Sequence, residues 1–211
     1  MEKIGFKKRK TKKPLVVALA GLVGSGKSSV AKALAKHIGA VVIGADDVRV
    51  ELRKRGESYG RVRTIVEQAA LEILKRGGSV VLDSDFAGVE KRGSLRKKMQ
   101  RAGARIMFVR VHCNPDAAIG RIISAHYRAR ADDFFGGAFS VWKGSARVKG
   151  AVVKIREMWR RTPLHYRWSE KGGGRWELKK LPFACIAEID TTKVAWKREI
   201  KKCAKKLLLQ G

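Results

Sequence analysis

Apolar positions along the chain follow two alternating rhythms. Short, mainly apolar runs of strand length occur at 15–20, 41–43, 79–83, 105–113 and 184–190. Between them, apolar residues recur at helical spacing. The first such stripe is Val30, Ala33, Leu34 and Ile38, and the second is Val62, Ile65, Val66, Ala69, Ala70, Ile73 and Leu74. Leu95, Met99 and Ala102 mark a third, Ile119, Ile122, Ile123 and His126 a fourth, and Trp196, Ile200, Cys203 and Leu207 a closing one. Glycines at 39, 77, 78 and 103 stand where these helices should end. Asn114-Pro115-Asp116 opens the fourth with a cap, a first-turn proline and an acid at the positive helix end.

Five short apolar strands alternating with helices predict an α/β fold, a parallel sheet covered on both faces. Ligands of such sheets sit at the carboxyl ends of the strands. The rhythm breaks between 131 and 182. There a basic helix carrying Val148, Val152, Ile155 and Trp159 is expected to end before Pro163. The run LHYRWSEKGGGRWELKKL then places three glycines between aromatic, alternating segments, which predicts a hairpin. The organisation expected is a basic arm over 1–13, then one domain over 14–211, with a lid and a basic aromatic insertion at about 128–182.

The chemistry begins after the first strand. Gly21-Leu-Val-Gly24-Ser25-Gly26-Lys27-Ser28 fits G-x-x-x-x-G-K-[ST], between a strand and a helix as that motif requires. Glycines let successive amides turn inward, and the helix start adds positive charge. Gly21, Gly24, Ser25, Gly26, Lys27, Ser28 and Ser29 are therefore the expected triphosphate cradle. Lys27 reaches the β- and γ-phosphates, and Ser28 takes Mg²⁺. The nucleotide is ATP or GTP. No N-K-x-D guanine motif is present, and a chain of 211 residues is short for a motor core, so a small P-loop kinase is expected.

After the second strand comes IGADDVRVEL, with Asp46 placed 19 residues beyond Lys27. Phosphoryl transfer needs a carboxylate to orient the attacking hydroxyl and a cation for any anion on the acceptor. Asp46 suits the first role and Arg49 the second, while Asp47 suits a helix start. The third strand ends in Asp83-Ser84-Asp85. Asp83 is placed to hold the metal through water, and Asp85 or Ser84 to touch the acceptor or, for Asp85, to cap a helix. Arg92 is either solvated or acceptor-binding. Arg121, Arg128 and Arg130 are lid candidates for neutralising the transferring phosphoryl group, with Arg128 favoured.

GLVGSGKSSVAKALAKHIGAVVIGADDVRVEL followed by GGSVVLDSDF resembles the small AAA-type P-loop kinases: 5′-hydroxyl polynucleotide kinases, zeta toxins and chloramphenicol phosphotransferases. The likeness runs from about residue 15 to 130 and reads most like the kinase domain of phage-type polynucleotide kinase. It implies a sheet of order 2-3-1-4-5 with a helical lid, and a D-D-x-R segment supplying the general base, Asp46, and the acceptor-phosphate arginine, Arg49.

Charge adds a partner class. Lys and Arg number 48 against 19 Asp and Glu, a net of +29, and the arm alone holds seven cations and one acid. Such a field favours polyanions, or belongs to a lineage whose proteins all run basic. Tyr166, Trp168 and Trp176 interleaved with cations suit single-stranded nucleic acid, or pack the insertion onto the core; for Trp159 packing is expected. The first expected function is ATP-dependent phosphorylation of a polynucleotide 5′-hydroxyl. Alternatives are a small-molecule kinase of zeta-toxin or antibiotic-kinase type, and a non-catalytic, nucleotide-dependent nucleic-acid-binding protein. Cys113, Cys185 and Cys203 form no short-spaced pair, and the four histidines show no ligand spacing, which points to a reducing cytoplasm and no zinc site. No apolar run approaches the roughly 18 residues of a membrane span, so no membrane partner is expected.

Overall fold

The computed structural model describes residues 9–125 and 146–210. Its centre is β1 (Leu15–Ala20), in which all six residues are fully buried. A strand with neighbours on both edges and helices on both faces has no side left for a polar residue. Around it lie β2 (Ala40–Gly44), β3 (Ser79–Asp83), β4 (Arg105–His112) and β7 (Ala187–Asp190), all parallel, in the order β2-β3-β1-β4-β7. This is the expected 2-3-1-4-5 order. The last sheet strand is β7 because the two strands of the hairpin, β5 (Tyr166–Ser169) and β6 (Arg175–Leu178), come first in the chain.

The period of β1 divides the core in two. Leu15, Val17 and Leu19 face α1 (Lys27–Ile38) and α7 (Trp196–Gln210), meeting Val30, Leu34, Ile38, Ile200, Cys203 and Leu207. Val16 and Ala18 face α2 (Ala45–Lys54), α3 (Val62–Lys75) and α4 (Val89–Arg101), meeting Val66, Ala70, Leu74, Leu95 and Met99. One charge is buried in that second layer. The Glu67 carboxylate, 1% exposed, pairs with Lys98 at 2.5 Å and accepts from the Ser94 hydroxyl at 3.0 Å, pinning α3 to α4. Gly39 ends α1 at φ 67°, and the Asn114 side chain caps α5 (Pro115–Ser124) by accepting from the Asp116 amide.

The described end of the basic arm is docked. The Lys10 amide donates to the Ile38 carbonyl at 3.0 Å, and the buried Thr11 hydroxyl lies 2.9 Å from that of Ser79.

Two expectations for the insertion are corrected. The basic helix α6 (Ala146–His165) runs through Pro163 rather than ending before it. Pro163 sits two residues from the helix end, where a missing amide breaks little of the ladder, and Thr162 donates its hydroxyl back to the Met158 carbonyl at 2.9 Å. The packed stripe is also turned by one position: Ala151, Met158 and Thr162 are buried and Ile155 partly so, while Trp159 is 46% exposed. After α6, Trp168 opposes Trp176 across the hairpin, and Gly172, Gly173 and Gly174 turn it at φ 68°, 89° and 84°. The hairpin is tied to the sheet by Arg110 of β4, 2% exposed, which donates to the carbonyls of Lys179 at 2.7 Å and His165 at 3.3 Å.

Candidate active site

The carboxyl ends of β1, β2 and β3, the start of α1 and one side of α6 enclose a cleft of about 590 Å³. Its floor is the glycine-rich turn after β1. Gly24 and Gly26 hold φ of 81° and 85°, the left-handed region that turns amides inward. A Cβ on Gly21 would stand 2.2 Å from the Val111 carbonyl, so the turn can lie this low only with glycine there. Ser28 and Ser29 are exposed at its rim. The Lys27 ammonium donates to the Leu22 carbonyl at 2.8 Å, and burial lowers its pKa against the raising pull of Asp85 and Asp83.

The turn is braced from two sides. Asp85, 5% exposed, accepts from the amides of Gly21 and Ala87, both at 3.1 Å, through Oδ1. Its Oδ2 meets His165 Nε2 at 3.1 Å and the Arg161 guanidinium at 3.5 Å. Burial pushes this carboxyl up, but the His165 hydrogen bond and charge, Lys27 and the Ala87 amide outweigh it and hold the group far below the usual carboxylate range. On the other side, Thr191 donates its hydroxyl to the Ser25 carbonyl at 2.7 Å. Arg121 donates to that hydroxyl at 2.9 Å, to the Thr191 carbonyl at 2.7 Å and to the Gly24 carbonyl at 3.3 Å.

Asp46 stands in the first turn of α2, across the cleft from the turn. It pairs with Arg49 at 2.5 Å and with Lys154 of α6 at 3.2 Å, and its side chain is 64% exposed. Partial burial pushes its carboxyl up, but Lys154 and Arg49 more than offset this, so it stays ionised. Asp47 folds back toward Gly44. Lys154, Glu157 and Arg161, at helical spacing, present one side of α6 to the cleft. Glu157 binds Arg160 at 2.9 Å and Arg161 at 2.5 Å.

The structure thus gathers Gly24, Gly26, Lys27, Ser28, Ser29, Asp46, Arg49, Asp83 and Arg121 around one cleft, with Gly21 and Ser25 buried beneath. Two acceptor-side expectations do not survive the geometry. Asp85 borders the cleft, but its oxygens are taken by protein donors, which makes it a brace of the turn. Arg92 is 6% exposed, donates to the carbonyls of Phe86 and Ala87, and lies 4.0 Å over the Phe183 ring, away from the cleft. Arg128 and Arg130 lie outside the described residues. Sequence reasoning missed Lys154, Arg161, His165 and Thr191. The spacing of Lys154 and Arg161 was a visible signal, but nothing local says which cavity that side of the helix meets.

A metal fits the donor set. Ser28 offers a hydroxyl and Asp83 a carboxylate in the same cleft, and Mg²⁺ takes few protein ligands beside phosphate and water. Among the described residues no cluster of three or more His, Cys, Asp or Glu could form a full protein cage. No described helix is long and apolar enough to cross a membrane.

A family model described as an AAA domain matches residues 16–138. No curated protein matches the chain. Among solved structures, the APS kinase of Mycobacterium tuberculosis in complex with AMPPNP and APS is similar at 19% identity and TM-score 0.56, covering 94% of this chain and 99% of that one. A gluconokinase from Sinorhizobium meliloti is similar at 16% identity and TM-score 0.51, with coverages of 93% and 95%. The tunicamycin resistance protein of Deinococcus radiodurans follows at 13% and 0.52, with 93% and 96%. At these identities the likeness is one of fold, and it extends over at least 93% of each chain.

Proposed function

The chain belongs to the AAA domain family, and from that premise we propose that it is a P-loop kinase acting on a small, negatively charged alcohol. The observation that carries this is the constellation of Lys27, Asp46, Arg49 and Lys154 lining one cleft. Lys27 and the turn amides hold the triphosphate. Asp46, kept ionised by its neighbours, accepts a hydrogen bond from the acceptor hydroxyl and then its proton. The hydroxyl oxygen bonds to the γ-phosphorus as the bond to the β–γ bridging oxygen breaks, and the diphosphate leaves with that electron pair. Ser28 and Asp83 would hold Mg²⁺, which would supply charge neutralisation for the triphosphate.

The anion preference follows from the ion pairs. Arg49 and Lys154 both pair with Asp46. An acceptor bearing a phosphate, sulfate or carboxylate takes over those cations and frees the Asp46 oxygens for the hydroxyl. The solved kinases of similar fold include one complexed with APS and one named for gluconate, which supports a small acceptor.

A second reading, transfer to the 5′-hydroxyl of a polynucleotide, is favoured by the net charge of +29. The phosphate next to a terminal hydroxyl would meet Arg49 and Lys154 in the same way. The deciding assay offers γ-labelled ATP or GTP with Mg²⁺ to phosphorylated and carboxylated alcohols, neutral sugars, and 5′-hydroxyl oligonucleotides. Label on a small anionic alcohol, lost in Asp46→Asn, is the expected result. Label confined to oligonucleotides moves the acceptor to the second reading. Nucleotide binding with no transfer to any acceptor overturns both.

A further inference from the structure

The other side of α6 and the hairpin enclose a second hollow. It holds about 350 Å³ and is lined by Trp159, Thr162, Pro163, Trp168, Trp176 and Lys179, among others. Trp176 is its hub, with ring centroids 5.9 Å from Trp159 and 5.1 Å from Trp168. The two outer rings stay 46% and 54% exposed. Burying a tryptophan is among the larger stabilising contributions a side chain makes, yet here two face outward across one open groove.

What surrounds the rings selects the occupant. Residues 150–180 carry nine Lys and Arg against three Glu. Arg167 and Lys179 line the groove itself, and Arg160, Lys171 and Lys180, close to it in the chain, are exposed. Glu157 holds Arg160 and Arg161, at 2.9 and 2.5 Å, and Glu177 holds Arg167 and Arg175 through exposed ion pairs, at 2.9 and 3.4 Å. Such pairs are worth little and re-partner readily. An apolar helix or a lipid tail would leave these cations without a counter-charge. A duplex hides its bases from flat rings. Open aromatic faces spaced among cations match a ligand whose planar rings alternate with phosphates.

We infer that the tryptophan groove binds unpaired bases of a single-stranded nucleic acid, with Trp159 and Trp168 as stacking faces and Arg167 and Lys179 against the flanking phosphates. The site is distinct from the cleft, since the two lie on different sides of α6. It does not rest on the identity of the kinase acceptor.

The test is a fluorescence titration of the full chain with oligothymidylate and oligouridylate, with heparin as a polyanion that has no bases. The oligonucleotides should change the tryptophan emission, and heparin should not. Trp168→Ala should weaken oligonucleotide binding roughly five- to a hundredfold with heparin binding unchanged, and Trp168→Phe should restore most of it. Because Trp168 belongs to the hairpin strands, Trp159→Ala, on α6, is the second variant and should weaken binding in the same direction. Wild-type oligonucleotide affinity in both alanine variants, an equal loss of heparin binding, or tighter binding of a poly-glutamate peptide than of either oligonucleotide overturns the proposal. Nucleotide binding at the cleft, measured on the same variants, should not move, so failure here is separable from failure of the kinase reading.

Discussion

Replacing Asp85 by asparagine tests whether this residue is a brace of the phosphate-binding turn. The carboxylate is 5% exposed and serves four donors: the Gly21 and Ala87 amides, His165 and Arg161. Removing one partner of a buried charged network costs about 3–5 kcal/mol. Asparagine keeps a carbonyl oxygen for the two amides but turns a donor toward Arg161, so about 2–3 kcal/mol is the expected loss. For a chain of this size that lowers the melting temperature by roughly 4–12 °C. The pH dependence fixes the origin of the effect. Asp85 has a folded pKa far below the usual value, so its contribution is fully present above about pH 4 and fades as pH falls through the folded value. The gap between wild type and Asp85→Asn should therefore narrow below about pH 4. Thermal unfolding as a function of pH, with and without Mg²⁺ and an unhydrolysed triphosphate, measures it. A variant that melts within about 1 °C of wild type and binds the triphosphate equally well would refute the bracing role.

Gly21→Ala should abolish triphosphate binding in a filter or calorimetric assay, because its Cβ would stand 2.2 Å from the Val111 carbonyl and force the turn upward. Lys154→Ala removes a cation from Asp46, so the variant should show a KM for an anionic acceptor raised roughly tenfold with the KM for nucleotide unchanged, consistent with about 1.4 kcal/mol for one charged contact. In the same variant the acidic limb of the pH–rate profile should move to higher pH, since losing Lys154 lets the Asp46 pKa rise. Arg110→Met should loosen the hairpin by freeing the carbonyls of His165 and Lys179, seen as a red shift of tryptophan emission and a lower melting temperature.

The turn and the first acceptor residues were readable because their chemistry is local. Gly21 to Ser28 are consecutive, and Asp46 and Arg49 share one helical turn just past a strand end. The sheet order needed the family resemblance as well as the strand count, since nothing in the apolar runs says that β3 lies between β2 and β1. What could not be read depends on partners far along the chain. Asp85 is followed 80 residues later by the histidine that occupies it and preceded by 64 by the amide it holds. Without those contacts an aspartate after a strand looks free to meet a ligand. Arg92 misled for the same reason: the carbonyls and the Phe183 ring that bury it are supplied by a loop and a distant segment. On α6, counting apolar residues selected Trp159 for the packed stripe, whereas Ala151 and Met158 fill the contact with α5. A small residue and a flexible one suit a close helix crossing better than a large indole does.

The pairing pattern in the cleft explains how so basic a chain could discriminate among anions rather than attract them all. Every described acid there except Asp47 and Asp83 is engaged by a named donor: Asp46 by Arg49 and Lys154, Asp85 by His165 and Arg161, Glu157 by Arg160 and Arg161. Most of the surplus positive charge lies outside the cleft, where salt screens it and it steers encounters. At Arg49 and Lys154, an acceptor gains what the exchange of partners yields. A neutral alcohol gives Arg49 and Lys154 no reason to leave Asp46, whose oxygens then stay occupied. An alcohol that carries its own anion offers the cations an equivalent partner and releases the base in the same step. On this reading binding of the correct acceptor assembles the reacting arrangement, and selectivity arises from the release of Asp46 more than from attraction to the cleft.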